Sequence, residues 1–152
     1  MGAIVSWGQI SLVGLVGGLV GALLTNWLAL YRDRKKEFQD AGKNFREAFL
    51  EVNRLLSIRH PMHITGSEFQ PTFELLPKYY KQHYEALIRF EPYISRSAKQ
   101  NLRKLWEEYC SFDKTHKHAT YSEYQCTANM EEEWPKRQLA LDRIEEMFKY
   151  TR

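Results

Sequence analysis

The apolar and polar positions of the chain form one uninterrupted apolar stretch followed by segments with a helical period. Residues 9–30 contain no Lys, Arg, Asp, Glu or His over 22 positions. A helix of that length measures about 33 Å and is long enough to cross a hydrocarbon core of about 30 Å. Because a lone span must satisfy its own backbone hydrogen bonds inside lipid, it has to be helical. The pattern predicts a transmembrane anchor over residues 1–31 and a separate domain over residues 32–152.

Beyond the span, apolar residues recur every three or four positions, which is the period of an amphipathic helix. The spacing predicts four helices, at about 32–58, 77–91, 96–112 and 134–150. Gly42 is the weak point of the first, Pro77 suits the first turn of the second, and Ser97 begins a capping-box pattern. Residues 59–76 and 113–130 are expected to form loops. With no strand pattern, the expected fold class is all-α: one N-terminal transmembrane helix plus a cytosolic four-helix bundle.

Charge is concentrated beside the predicted span. Residues 32–36 carry four positive charges and one negative, and residues 37–152 hold 18 charges of each sign. The net charge of +3 therefore belongs to the membrane flank, and the neutral domain argues against duplex nucleic acid as a partner. Positive residues beside a span stay in the cytoplasm, which predicts an external N-terminus and a cytoplasmic domain. Cys110 and Cys126 are then expected to be free thiols.

Small residues recur at three- and four-residue spacing along the predicted span. They are Gly14, Gly17, Gly18, Gly21, Ala22 and Thr25. Such residues form a shallow groove in which a second helix backbone approaches closely. Because the chain has no second span, the groove predicts a homo-oligomer within the lipid bilayer. A single-span subunit lines a conduit only as a ring of several copies.

The polar grouping that stands out after the span is cationic and aromatic. It comprises Arg96, Lys99, Arg103, Lys104, Lys114, His116, Lys117, His118 and Tyr121. Cations interleaved with rings that stack suit a phosphorylated nucleotide or a similar small anionic ligand. The alternative is a solvated helix face whose charges are matched by Glu107, Glu108 and Glu123. No cofactor, metal or catalytic residue is predicted.

Two further motifs suggest other chemistry. Arg54 and His60 are separated by five residues, which resembles the Arg-x(4–6)-His motif of HEPN-type ribonucleases. Leu55 stands where that family has a polar residue, and a solvated helix end is the alternative interpretation. Cysteines 110 and 126 and histidines 116 and 118 are zinc-compatible, but their spacing is not that of the familiar zinc fingers.

Several apolar and aromatic motifs carry a resemblance to known proteins. The span with residues 32–38, together with Phe45-Arg-Glu-Ala-Phe49, His83-x-x-x-Leu87-x-x-Phe90 and Trp106-x-x-Tyr109, resembles small bacterial single-span membrane proteins of unknown function. The architecture also resembles CRISPR-associated membrane effectors whose cytosolic helical domain binds cyclic oligoadenylate. The resemblance implies a non-enzymatic effector of antiviral defence in the bacterial inner membrane, which binds a cyclic oligonucleotide and perturbs or permeabilises the membrane. The alternatives are a membrane-tethered scaffold or regulator that recruits a cytosolic protein, and a membrane-anchored HEPN-like ribonuclease.

Overall fold

The computed structural model describes residues 7–58, 70–126 and 130–152, with side chains from residue 17 and, in the last range, from residue 132. The helices are α1 (Trp7–Ala48), α2 (Leu50–Leu56), α3 (Thr72–Phe90), α4 (Arg96–Tyr109) and α5 (Met130–Phe148). Two short strands, β1 (Phe112–Asp113) and β2 (His118–Ala119), form a hairpin, and short 3-10 turns cover Glu91–Tyr93, Ser122–Tyr124 and Lys149–Thr151. Because the described residues are mostly helical, the all-α fold class is confirmed. The chain divides into two compact units, residues 1–37 and 38–152.

In the first unit, every described side chain is exposed. Leu23 and Trp27 have 67% and 63% of their surface accessible, and the Trp27 ring stacks on that of Tyr31 with centroids 6.1 Å apart. Among the described residues, no helix combines the length and the apolar character that crossing a membrane requires. The side chains of residues 9–16, with which the predicted span begins, lie outside the described residues. The predicted division at residues 1–31 and 32–152 stays a prediction.

The second unit is organised around an aromatic core. Phe45 lies 5.1 Å from Phe49 and 5.3 Å from Phe90 between ring centroids. Phe49 stacks on the buried imidazole of His83 at 3.9 Å, and His83 Nδ1 is 3.1 Å from the Tyr109 hydroxyl. Burial lowers the pKa of His83 to about 4. Removing such large side chains from water stabilises the unit by about 1.5–3 kcal/mol each, which explains why the predicted helical stripes come together.

The first predicted helix is interrupted, but at Phe49 and not at Gly42. The amide of Phe49 donates to the Arg46 carbonyl at 3.1 Å, which ends α1 in a tight turn, and α2 follows immediately. Gly42 lies inside α1, and Thr151 packs against it. A Cβ at position 42 would lie 3.1 Å from Thr151 Cβ and 3.2 Å from the Thr151 carbonyl oxygen. The absent side chain therefore provides room for the last turn of the chain.

Helix α3 begins at Thr72, earlier than predicted, because a distant carboxylate caps it. Glu133 Oε1, from α5, accepts from the Thr72 amide at 2.7 Å and from the Thr72 hydroxyl at 2.5 Å. The buried Arg137 pairs with Glu133 and donates to the carbonyls of Leu55 at 2.8 Å and Gln70 at 2.7 Å. These contacts tie the end of α2 and the start of α3 to α5. Pro77, expected in the first turn, lies inside the helix.

Two other predictions at the boundaries of α4 are wrong in detail. Ser95, and not Ser97, caps the helix: its hydroxyl accepts from the amide of Ala98 at 3.3 Å. The helix ends at Tyr109, before the predicted residue 112, because Phe112 pairs with Ala119 in the hairpin. The region 113–130, predicted to be a loop, thus contributes a strand pair and a 3-10 turn. The start of α5 is Met130, four residues before the prediction.

Candidate ligand-binding cleft

The hairpin between α4 and the 3-10 turn is shaped by Asp113. Its Oδ1 accepts from the amides of Thr115 at 2.8 Å and His116 at 3.3 Å, and its Oδ2 lies 2.7 Å from the His116 ring nitrogen. The hydrogen bond from His116 is the main reason that the pKa of Asp113 is lowered. Lys117 follows with a φ of 55°, in the left-handed region that few non-glycine residues adopt. The turn thereby sets the position of Lys117.

A cleft of 430 Å³ is bounded by α3, α4 and this hairpin. Its floor is aromatic: the ring centroids of Tyr80, Tyr84 and Trp106 lie 5.7–6.0 Å from one another. Trp106 is almost fully buried at 4% exposure, whereas Tyr84 is 43% exposed. The rest of the lining is formed by Leu87, Ile88, Glu91, Arg103, Glu107, Phe112 and Lys117. The cleft therefore combines a flat aromatic surface with charged groups at its edge.

The charged edge is built on a buried carboxylate. Glu91 is 4% exposed and accepts from Arg103 Nε at 2.5 Å and Arg103 Nη2 at 2.8 Å. Lys99 Nζ lies 2.8 Å from the same carboxylate. The Arg103 hydrogen bonds hold the pKa of Glu91 below its ordinary value. Since a guanidinium has five N–H donors and Glu91 takes two of them, Arg103 keeps three for other partners.

Lys104 and Lys114 lie in a different cleft of 550 Å³ beside the hairpin, which is lined almost entirely by polar and charged residues. Lys114 Nζ is 2.9 Å from a carboxylate oxygen of Glu107, and Lys104 Nζ is 3.9 Å from one of Glu108. These two cations are thus matched by the acidic residues that the alternative interpretation named. The structure brings Arg103 and Lys117 together in the aromatic cleft and separates Lys104 and Lys114 from them.

The other predicted ligand contacts lie elsewhere. Arg96, at the start of α4, is exposed and lines neither of the two clefts. The same is true of His116 and His118, which lie on the hairpin. Tyr121 belongs to the core: it is 2% exposed and packs against Tyr109 and Tyr124. Burial raises the pKa of Tyr121, whose hydroxyl has no hydrogen-bond partner among the described residues. Tyr121 is therefore a core residue and not the surface ring that the sequence suggested.

The aromatic floor was missing from the predicted site. Tyr80 and Tyr84 follow the same three- and four-residue spacing as the core positions of α3, and Trp106 reads as a core residue of α4. A mixed three- and four-residue spacing does not by itself separate them from core residues such as Leu87 and Phe90. One signal was available: Tyr80, Tyr84 and Ile88 recur every four residues, which displaces them from the fully buried stripe.

The two alternative motifs have the following geometry. Arg54 is exposed and donates to Glu51 through two nitrogens, at 2.9 and 3.1 Å, while His60 lies outside the described residues. Cys110 and Cys126 are free thiols; the first is buried, and the second lies 2.9 Å from a Glu133 oxygen. Within the described ranges, no group of three or more His, Cys, Asp or Glu side chains has the arrangement needed to hold a metal ion.

Comparison of the chain with family models, with curated proteins and with solved structures found no match. The resemblances to single-span bacterial proteins and to CRISPR-associated effectors therefore stay predictions.

Proposed function

We propose that the chain is a homo-oligomeric, single-pass protein of the bacterial inner membrane. Its N-terminus lies outside, and its cytoplasmic helical domain senses an anionic, cyclic nucleotide-like ligand. Ligand binding perturbs or permeabilises the membrane, in a non-enzymatic antiviral response. The observation that carries the proposal is that the apolar side chains of residues 17–31 are exposed, whereas residues 38–152 bury a core of their own.

The exposed apolar residues of the first unit support an anchor. They include Leu19, Val20, Leu23, Leu24, Trp27, Leu28, Leu30 and Tyr31, which are 45–67% exposed. A helix that is apolar all round is expected in a membrane or in the core of a large assembly. Four exposed cations follow directly, at positions 32–36, and they support a cytoplasmic location of the domain.

The glycines of the first unit support self-association. Apart from the adjoining backbone of the helix itself, no described atom lies within 4 Å of the position that a Cβ would take at Gly17, Gly18 or Gly21. A second helix therefore has room to approach this surface closely. Thr25, another small residue of the predicted groove, donates its hydroxyl to the Gly21 carbonyl at 2.8 Å. The surroundings of Gly14 lie outside the described residues. Several copies around a common axis are required for a conduit.

The aromatic cleft supports a sensing role for the domain. Arg103 and Lys117 at its edge are suited to an anion, and the rings below them are suited to a planar group. A ligand acts on the membrane only if it binds two arrangements of the oligomer with different affinity. The proposal therefore requires that the ligand-bound oligomer differ in its effect on the bilayer from the ligand-free one.

Vesicle leakage tests this function directly. The full chain is reconstituted into vesicles that contain a self-quenching dye, and cyclic oligoadenylates of several ring sizes are added. We expect at least one ring size to release dye, and replacement of Gly17, Gly18 and Gly21 by Leu to abolish the release. Absence of release with every ring size contradicts the proposal, as does purification of the intact chain as a soluble monomer without detergent.

A second candidate is a membrane-tethered scaffold or regulator that recruits a cytosolic protein. The observation that favours it is the exposed apolar pair Tyr84 and Ile88 on α3, at 43% and 41% exposure. In that case, affinity capture on the intact chain recovers one stoichiometric protein, and Tyr84→Ala or Ile88→Ala lowers the recovery. The glycine replacements should then leave recruitment intact.

A further inference from the structure

We propose that the cleft above Tyr84 and Trp106 binds a small molecule with one phosphate group joined to one planar ring, such as a nucleoside monophosphate unit. The inference rests on the proposed function, because it assigns a place and a chemical class to the sensed ligand.

The planar ring is indicated by the exposed ring of Tyr84 in the aromatic floor. Tyr80 and Tyr84 lie nearly parallel, with 5° between their planes, and Trp106 leans against both at 38–39°. Packing behind the floor fixes Trp106, which is 4% exposed, while Tyr84 stays 43% exposed. The accessible ring of Tyr84, held in place by its contacts with Tyr80 and the buried Trp106, suits stacking by a base-like ring.

The phosphate is indicated by the donors at the edge of the cleft. Arg103 lines the cleft, keeps three N–H donors, and has 52% of its side chain exposed in spite of its two bonds to Glu91. A guanidinium of this kind matches the geometry of phosphate oxygens. Lys117 lines the same cleft and forms no ion pair with any described residue.

The charge balance indicates a single phosphate. Lys99, Arg103 and Glu91 together carry a net charge of +1, and Lys117 adds a second positive charge. Glu107 also lines the cleft, but its charge is matched by Lys114. A phosphomonoester carries about −1.5 to −2 at neutral pH and neutralises this positive charge, whereas one phosphodiester unit of a cyclic oligonucleotide carries about −1 and neutralises half of it. A triphosphate carries more negative charge than this edge can neutralise, and an uncharged nucleoside leaves its positive charge without a partner.

Glu91 positions Arg103 and does not compete with the ligand for it. The side chain of Glu91 is 3% exposed, and Arg103 and Lys99 are its hydrogen-bonded partners. Displacing it from Arg103 would leave a buried carboxylate with less compensation, which is strongly unfavourable. A volume of 430 Å³ lies within the range typical of small-molecule sites.

The test is calorimetric binding to the full chain in detergent micelles. The probes are the four nucleoside monophosphates, with adenosine, inorganic phosphate and ATP for comparison. We expect saturable binding of at least one monophosphate, tighter by about tenfold or more than its nucleoside or phosphate alone, since stacking and charged hydrogen bonds both contribute. ATP should bind more weakly than AMP if AMP is the monophosphate that binds.

Matched variants locate the site. Arg103→Gln should weaken monophosphate binding by about tenfold or more, whereas Arg96→Gln, an exposed cation on the same helix and outside the cleft, should not. Tyr84→Ala should weaken it similarly, whereas Tyr93→Ala should not, although Tyr93 is equally exposed at 44%. If Arg103→Gln impairs folding by leaving Glu91 with Lys99 as its one remaining cationic partner, the double variant Glu91→Gln/Arg103→Gln and the single variant Lys117→Gln replace it.

The outcomes separate this inference from the proposed function. No saturable binding of any monophosphate, or equal losses in the cleft variants and their matched controls, overturns the site. If phosphate alone binds as tightly as the monophosphate, the stacked planar ring is overturned. If ATP binds more tightly than AMP, the single-phosphate class is overturned. If a monophosphate binds in the cleft but no cyclic oligoadenylate causes leakage, the membrane effector is overturned and the cleft assignment stands.

Discussion

Apolar side chains are exposed in residues 17–37 but are largely buried in residues 38–152. In the first unit, Leu23 is 67% exposed, and in the second, Leu76 and Leu87 are exposed by 1% or less. The difference lies in how the residues are spaced. Apolar residues surround the first helical segment on all sides, so no single face is available for packing within the chain. In the second unit, stripes on one face of each helix meet in a common core. An apolar residue is thus buried within the chain only where its neighbours form a face.

The largest expected effect contrasts Phe49→Ala with Leu23→Ala. Phe49 is fully buried among His83, Tyr109 and Phe45, so its truncation should lower the free energy of unfolding by about 3–5 kcal/mol. Leu23→Ala should change it by about 0.5 kcal/mol or less, because an exposed side chain leaves no cavity. Urea unfolding of the full chain in micelles, followed by near-ultraviolet circular dichroism, measures both. Comparable losses in the two variants would show that the first unit shares the core.

The pH dependence of stability tests the buried core of the second unit through one residue, His83. His83 is neutral when buried, with a pKa near 4, and titrates near 6.5 when unfolded. The unfolded state therefore binds more protons between these values, and stability should fall from pH 6.5 downwards by up to about 3 kcal/mol at pH 4. Above about pH 7.5, where the imidazole is neutral in both states, this contribution is constant. His83→Phe should flatten the curve between pH 4.5 and 6.5, and an unchanged slope would assign the effect to other groups.

Two glycines in the same helix provide a third contrast. Gly42→Ala should destabilise the second unit by about 1–3 kcal/mol, because the new methyl group meets the backbone and side chain of Thr151. Gly21→Ala meets no neighbour within 4 Å and should leave domain unfolding unchanged. Urea midpoints of the two variants give the comparison. A stabilised Gly42→Ala variant would mean that Thr151 moves aside easily and that helix propensity dominates.

The smallest effect concerns the start of α4. Ser95→Ala should reduce stability by about 1 kcal/mol, since it removes the hydroxyl that accepts from the Ala98 amide. Ser97→Ala should cost about 0.5 kcal/mol or less, because Ser97 does not cap the helix. The difference is measured as a shift in urea midpoint between the two variants. A larger loss at Ser97 would restore the capping box that the sequence suggested.

Helical spacing in the sequence located the helices of the second unit but not all their ends. The start of α3 depends on Glu133, which lies 61 positions away in the chain, and no local pattern contains that information. Likewise, Gly42 looks like a weak point until Thr151 is seen against it. The pairing of Phe112 with Ala119 involves only two residues on each strand, too few for a period to appear.

The candidate site was predicted only in part for a related reason. Arg103 and Lys117 were recognised because charge is visible in a sequence, and the structure places both at one cleft. Tyr84 and Trp106 were not, because core and cleft aromatics share the same helical spacing. Conversely, Tyr121 was expected at the surface but is buried against Tyr109 and Tyr124, and no local pattern in the sequence contains these contacts.

Trp106 and Trp27 give each unit an intrinsic optical reporter. Trp106 lies under the cleft and Trp27 is 63% exposed on the first unit. A ring stacked in the cleft should quench emission from Trp106, and brominated lipids should quench emission from Trp27. Single-tryptophan versions of the chain would therefore record ligand capture and lipid contact separately, without any attached dye.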